Sequence, residues 1–467
     1  MRISALVVAA IGSFVAAPAL AADDMAAQLD ALVAPQFPAK EPGAVVLVQR
    51  HGQTLLRKAY GMADLELGVP MRPDYIFRLA SLTKQFTATA IMILVDEGKV
   101  GLRDDLRKYV PEYPSHGPVV TIEQLLTHTS GVPDFGDLPA FEALAHQDLT
   151  HEQFVALIKD VPLDFPPSSK WKYSNSGYYL LGMVIERVSG KRYSQFLQER
   201  IFGPQQMTHT GYDDGARILG GRVPGYERSD RDGKVSFTHA QHVAMSVPFA
   251  AGGLVSSVDD LARWDAAITA GKVLQKASWS RMFTTVQLSD GKAMQYGFGW
   301  GIRRQFGQRV VAHSGEIAGF HSTFLRLPDE QTMVVILCNS GPPTFDLYLL
   351  ALRLAMTAIG KPLKEPPLVK VAPAILDRYV GVYETDKRIG LVIRRDGDYL
   401  TCQRSDGSPL RIMAPQSETT FSLPDLQERL VFVSDASGRV LGVDVVQPDG
   451  QRARAARTAA PLPVSPP

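Results

Sequence analysis

The spacing of apolar positions changes several times along this chain. From Met25 to Leu32 they recur at helical intervals and predict a short amphipathic helix. Gly43 to Ala63 reads as two apolar strands around His51-Gly52, a hairpin. A loop-like stretch then gives way at Ser81 to the long apolar run Phe86 to Val95, and helical periodicity continues in Thr121 to Leu126 and Tyr178 to Val188. Ser257-Val258-Asp259-Asp260 predicts a capping box opening a further helix through Trp264. Strand-like runs return at Arg309 to His313, His321 to Leu327 and Thr332 to Cys338, followed by a helix from Phe345 to Ile359. The sheet is therefore expected to draw on both ends of this region, around a helical middle.

Lys361 to Pro373 holds four prolines and no periodicity, so it reads as a linker. Beyond it the pattern is entirely β. Alternating runs near Tyr379 to Tyr383, Gly390 to Ile393, Tyr399 to Gln403, Leu430 to Val433 and Val440 to Val446 are punctuated by Asp396-Gly397, Asp406-Gly407, Ser437-Gly438 and Asp449-Gly450. Repeated hairpin signals of this kind predict a small meander or barrel. The chain from Arg452 is Arg- and Ala-rich, then Pro-rich, and reads as disordered. The domain bounds drawn from these patterns are 22–360, a linker at 361–373, a barrel at 374–457 and a tail at 458–467.

The first residues change the compartment. Met1-Arg2, the apolar stretch Ile3 to Ala17 and Ala19-Leu20-Ala21 have the form of a signal peptide, 1–21, cleaved after Ala21. A periodic match to a membrane span is lacking afterwards, so a periplasmic or secreted protein is expected. The formal net charge of +1, without long runs of like charge, makes nucleic acid a poor partner and leaves the oligomeric state open. Cys338 and Cys402 read as two buried small hydrophobes rather than a disulfide. The ten histidines are scattered without a metal-binding spacing, so neither metal nor cofactor is expected.

Candidate chemistry begins with Ser-x-x-Lys, which occurs three times: Ser81/Lys84, Ser169/Lys172 and Ser289/Lys292. Only Ser81 stands at the start of a strong helix, where Lys84 lies about one turn away on the same face and can act as its base. Tyr173-Ser174-Asn175 could supply a proton relay and a substrate contact, with a lysine ammonium favouring the ionised phenol. His313-Ser314-Gly315 follows a strand, and Gly315 would let a substrate lie against it. The backbone N–H groups of Ser81 and Glu316 would then form an oxyanion hole.

In this order the motifs resemble those of the penicillin-recognising serine hydrolases, the superfamily of serine β-lactamases and penicillin-binding proteins. The likeness is to the class C β-lactamase-like branch, with its CubicO group, D-aminopeptidases and family VIII esterases. Leu125-Leu126-Thr127-His128-Thr129-Ser130-Gly131, Tyr173 to Tyr178, and Ala251-Gly252-Gly253-Leu254 followed by Ser257 to Leu261 support it, over roughly residues 40 to 358. The resemblance implies an α/β (α+β) fold, with an antiparallel sheet flanked by helices and an all-helical subdomain. Leu376 to Glu384 is similar to the lipocalin-like barrel appended to some of these hydrolases. By the same resemblance Ser81 is acylated, Lys84 is the general base, Tyr173 relays the proton, Asn175 holds the substrate amide, and His313, Ser314 and Gly315 line the substrate strand. His128 reads as structural support.

His313 stands where β-lactamases carry a lysine, and a neutral imidazole is a poor anchor for the carboxylate of β-lactams. Glu316 adds negative charge that would suit cationic substrates. The expectation is an exported aminopeptidase- or esterase-type hydrolase of small ester, amide or peptide substrates. A true β-lactamase or D-Ala-D-Ala carboxypeptidase is the alternative within the same chemistry. A catalytically silent cell-wall- or peptide-binding protein is the alternative of another class, against which the joint presence of Ser81, Lys84 and Tyr173 argues.

Overall fold

Thr332–Cys338 is buried along its whole length, as an unbroken apolar strand requires when both faces of its sheet are covered. In the computed structural model it lies inside a six-stranded antiparallel sheet, in the order Gly301–Gln305, Gln308–Ile317, Phe320–Leu327, Thr332–Cys338, Ala44–Arg50, Gln53–Tyr60. The structure describes residues 22–459 except 115–116, 140, 142–144, 216, 232–233, 342–344, 364–368, 386–389, 405–410, 424–427 and 448–449. Residues 1–21, where a signal peptide is expected, and the last eight residues, 460–467, lie outside that range, as do Asp406-Gly407 and Asp449.

Side chains alternate across the sheet. Val46, Val334, Ile336 and Cys338 share one core with the helices Ala22–Val33 and Leu347–Ala358. Val45, Leu47, Val335 and Leu337 face the opposite core, built by the helical middle. Within that middle, Thr83–Asp96 is buried at every residue from Thr83 to Leu94, as a helix with apolar residues around its circumference must be. Phe86 packs against Phe202 and Trp264, and the Trp264 indole N–H donates to Gln85 Oε1 at 2.7 Å.

Several expectations need correction. Ser81 does not open an α-helix: it sits in the 3-10 turn Ala80–Leu82, and the α-helix begins at Thr83. The capping box at Ser257 is half made, because Ser257 accepts from Asp260 N–H while Asp260 Oδ2 accepts from His209 N–H and Thr210 instead. A complete box exists at Thr121 and Gln124. The expected strand Arg309 to His313 runs on through Ser314 and Gly315 to Ile317.

The C-terminal segment is a closed barrel of eight strands from Gly381–Glu384 to Arg452–Arg457. Its interior is a separate core that includes Met413, Phe421 and Phe432. Tyr379 belongs to a helix, Pro373–Tyr379, rather than to a strand, and stacks on Phe432 with ring centres 3.8 Å apart. The reading of disorder from Arg452 onward is corrected for 452–457: Arg452–Arg457 pairs with both Val440–Val446 and Gly381–Glu384 and closes the barrel. A chain ending at Gln451 is therefore expected to lose the barrel's unfolding transition in calorimetry. The transition of the larger domain should stay within a degree or two, since the two cores share no residue; a parallel loss of both would contradict that separation.

Candidate active site

The chain reaches Ser81 through a segment held on every side. Arg78, on the strand Phe77–Arg78, pairs at 2.9 Å with the buried Asp213. Leu79 N–H donates to Leu254 O at 2.8 Å, and Ser322 Oγ donates to Leu79 O at 2.8 Å. Between this anchor and the helix, Ala80 takes a left-handed φ of 49°. That conformation costs an L-residue with a Cβ roughly 1 kcal/mol, and it leaves Ser81 partly exposed at the rim of a cavity of about 620 Å³.

Lys84 is fully buried one turn below. Its Nζ lies 3.1 Å from Ser81 Oγ, 2.7 Å from Asn175 Oδ1 and 2.9 Å from the carbonyl of Ala251. Burial pulls its pKa down to about 7, against a smaller opposing effect of the Asp134 charge. A neutral amine has two hydrogens and one lone pair. Asn175 Oδ1 and Ala251 O can only accept, so they take both hydrogens and the lone pair is left for the Ser81 hydroxyl. The geometry thus aims the Lys84 lone pair at the Ser81 hydroxyl.

Tyr173 places its ring 4.7 Å from Lys84 Nζ. The expected ionised phenol is reversed: burial pushes its pKa well above the ordinary value, and the interaction with Ser81 that opposes this is weaker. Near neutrality the Tyr173 phenol keeps its proton, and its buried hydroxyl lies near Ser81 without a well-formed hydrogen bond. Asn175 is the first residue of the helix Asn175–Ser189, with Ser174 as its cap. His128, at φ 59° and buried, accepts from Ser174 N–H at Nδ1 over 3.1 Å and packs on the Tyr173 ring at 4.3 Å. It supports the turn rather than reaching Ser81.

Gln308–Ile317 passes beside this turn. A Cβ on Gly315 would overlap Leu79 O and Ser322 Oγ and would lie 3.1 Å from Ser81 N, so only glycine permits this approach. Ser314 and Glu316 flank it, both exposed. Glu316 lies 3.5 Å from His321 Nε2, and that contact holds its carboxyl below the usual range. At His313, Nδ1 meets Ser314 O at 2.6 Å and must donate, so Nε2 accepts from the Tyr296 hydroxyl at 2.9 Å. Burial, then the nearby Lys84, pulls the His313 pKa down to about 4, which makes the ring neutral at physiological pH.

The other two Ser-x-x-Lys matches do not form such pairs. Ser169 Oγ donates to Pro166 O, and Lys172 bridges Asp164 and Asp137; Ser289 and Lys292 belong to a turn through Gly291. Sequence reasoning missed the carbonyl of Ala251, the Tyr296 hydroxyl and the carboxylate of Asp134. Of these only Ala251 lay within a segment already singled out.

The Lys84 amine is expected to govern reactivity with pH. Labelling of Ser81 by a fluorophosphonate should rise as pH increases through about 7, where Lys84 loses its proton; a flat profile from pH 5 to 9 would contradict this. Gly315→Ala is expected to displace the strand from Ser81 and to slow labelling by about 100-fold, measured against the wild-type rate.

Comparison with known proteins identifies the family. The model of the Beta-lactamase family matches residues 27–357. A penicillin-binding protein of Bacillus subtilis (strain 168) is 29% identical over 440 residues, covering 88% of this chain and 94% of its own. Among solved structures, an octameric penicillin-binding protein homologue from Pyrococcus abyssi superposes with a TM-score of 0.63 at 25% identity, covering 93% of this chain and 99% of that one. The D-amino acid amidase of Ochrobactrum anthropi SV3 does so with a TM-score of 0.59 at 26% identity, over 70% and 94% of the two chains. The chain, with its Lys84 amine aimed at Ser81, belongs to the Beta-lactamase family.

Proposed function

We propose that this protein is an exported serine hydrolase that acts through an acyl-enzyme on small ester, amide or peptide substrates. The observation that carries this reading is the contact of the buried Lys84 amine with Ser81 Oγ, its other two bonds taken by acceptors. As Ser81 Oγ bonds to the substrate carbonyl carbon, its proton passes to Lys84 and the carbonyl oxygen becomes an oxyanion. The N–H groups of Ser81 and Glu316 stabilise that oxyanion. Tyr173 gives its proton to the leaving amine or alkoxide as the carbonyl–leaving-group bond breaks, and is reprotonated from Lys84. Water then repeats the sequence to release the acid and free Ser81. Asn175, His313, Ser314 and Gly315 hold the substrate along the strand.

The neutral His313 supports one substrate class over another. It offers no cation to a β-lactam carboxylate, whereas Glu316 at the cavity rim favours substrates with a free amino group. Apolar side chains, among them Phe135, Phe141, Val247 and Ile317, line the cavity beside Ser81 and suit a hydrophobic acyl group. Solved relatives named D-amino acid amidase and D-stereospecific amidohydrolase support amide hydrolysis. Export rests on the signal-like residues 1–21.

The mature protein is expected to turn over p-nitrophenyl esters and aminoacyl amides, and nitrocefin at least about 100-fold more slowly, a difference of roughly 2.7 kcal/mol in transition-state binding. Ser81→Ala and Lys84→Ala should each reduce turnover by about a thousandfold or more. Nitrocefin hydrolysis at the rate of the best ester, or activity that survives loss of Ser81, would overturn the proposal.

A further inference from the structure

Asp134 was not among the residues picked out by motif, and its environment is unusual. It follows Val132-Pro133 on the loop after His128 and is only 7% exposed. Its Oδ1 accepts from Gly136 N–H at 2.7 Å and caps the 3-10 turn Phe135–Asp137. Its Oδ2 accepts from the backbone N–H of Asn175, the residue whose side chain receives a hydrogen from Lys84. Both oxygens are thus held by backbone N–H groups rather than by a cation. A serine or asparagine could cap the same turn as a neutral residue, and burying a charge is expensive unless it is paired and hydrogen-bonded.

We propose that Asp134 is the counter-charge of the Lys84 base: a buried carboxylate, fixed through the backbone of Asn175, that stabilises the ammonium formed when Ser81 gives up its proton. This rests on the Ser81–Lys84 mechanism above and assigns its electrostatic support. Asp134 does not line the cavity beside Ser81, so it is a positioning residue acting through Lys84. The other groups facing Lys84 cannot serve. Tyr173 and Tyr178 present their rings at 4.7 Å and 5.5 Å, and burial keeps both phenols protonated. His128 and His313 are held neutral, and Tyr296 is a buried phenol. The Asp134 charge also raises the Tyr173 pKa, which preserves that phenol as the donor to the leaving group. One carboxylate therefore favours the protonated form of each relay member.

The test is the pH profile of kcat/KM for a p-nitrophenyl ester in the full-length mature protein, with Asp134→Asn, Asp134→Ser and Asp134→Glu. Asparagine and serine still cap the turn, so at least one neutral variant is expected to fold. In both, the acid limb should move down by about one pH unit, and the plateau should fall about tenfold as the lysine becomes a weaker base. Asp134→Glu should keep the acid limb within a few tenths of a unit of wild type. An unmoved acid limb in a folded neutral variant, with the effect confined to KM or to thermal stability, would reduce Asp134 to a loop anchor and overturn the inference. A wild type without ester hydrolysis, or with hydrolysis insensitive to Ser81→Ala, would instead overturn the underlying mechanism and the inference with it.

Discussion

The proposed chemistry depends on burying one amine. An exposed lysine is an ammonium near neutrality and has no lone pair to offer a serine. Lys84 is removed from water entirely, which costs its charged form more than Asp134 returns, and the balance leaves it close to half-protonated at neutral pH. Burial alone would produce a base without direction. Asn175 Oδ1 and Ala251 O supply the direction by consuming the two hydrogens that a neutral amine carries.

Such burial needs a scaffold able to hold a polar group in its interior. The helix Thr83–Asp96 supplies it by lying inside the helical layer, with Trp264 and Phe202 packed around Phe86. The sheet supplies the other wall, because Gly315 lets the strand Gln308–Ile317 come against the turn that carries Ser81. Ala80 is left in a strained conformation at this junction, and the bonds of Leu79 to Leu254 and Ser322 hold it there. Strain of about 1 kcal/mol at one residue is small beside the burial of the neighbouring side chains, so the fold tolerates it.

Much of this was legible in the chain. The sheet strands showed themselves because their alternating or continuous apolar positions are buried as the pattern implies, Thr332–Cys338 above all. Tyr173, Asn175 and Lys84 do meet around Ser81, as the order of the motifs suggested. The failures have physical causes. Arg452–Arg457 buries only Ala455, so a strand that closes a barrel carries almost no apolar signal. Pro373 suggested a linker, yet proline is well suited to the first turn of a helix. The turn at Ser81 depends on Ala80 and on distant packing that no local pattern records. The Tyr173 phenol keeps its proton where the motif suggests an anion, because a nearby cation is visible in a motif, whereas burial is visible only in the fold.

The central claim is that Lys84 is a neutral amine over much of the physiological range. It is tested most directly by NMR titration of Lys84 Nζ in lysine-labelled protein, with Lys84→Ala used to assign the resonance. The account predicts a midpoint near pH 7. A midpoint near 10.5, the ordinary lysine value, would leave Lys84 an ammonium at neutral pH and contradict it.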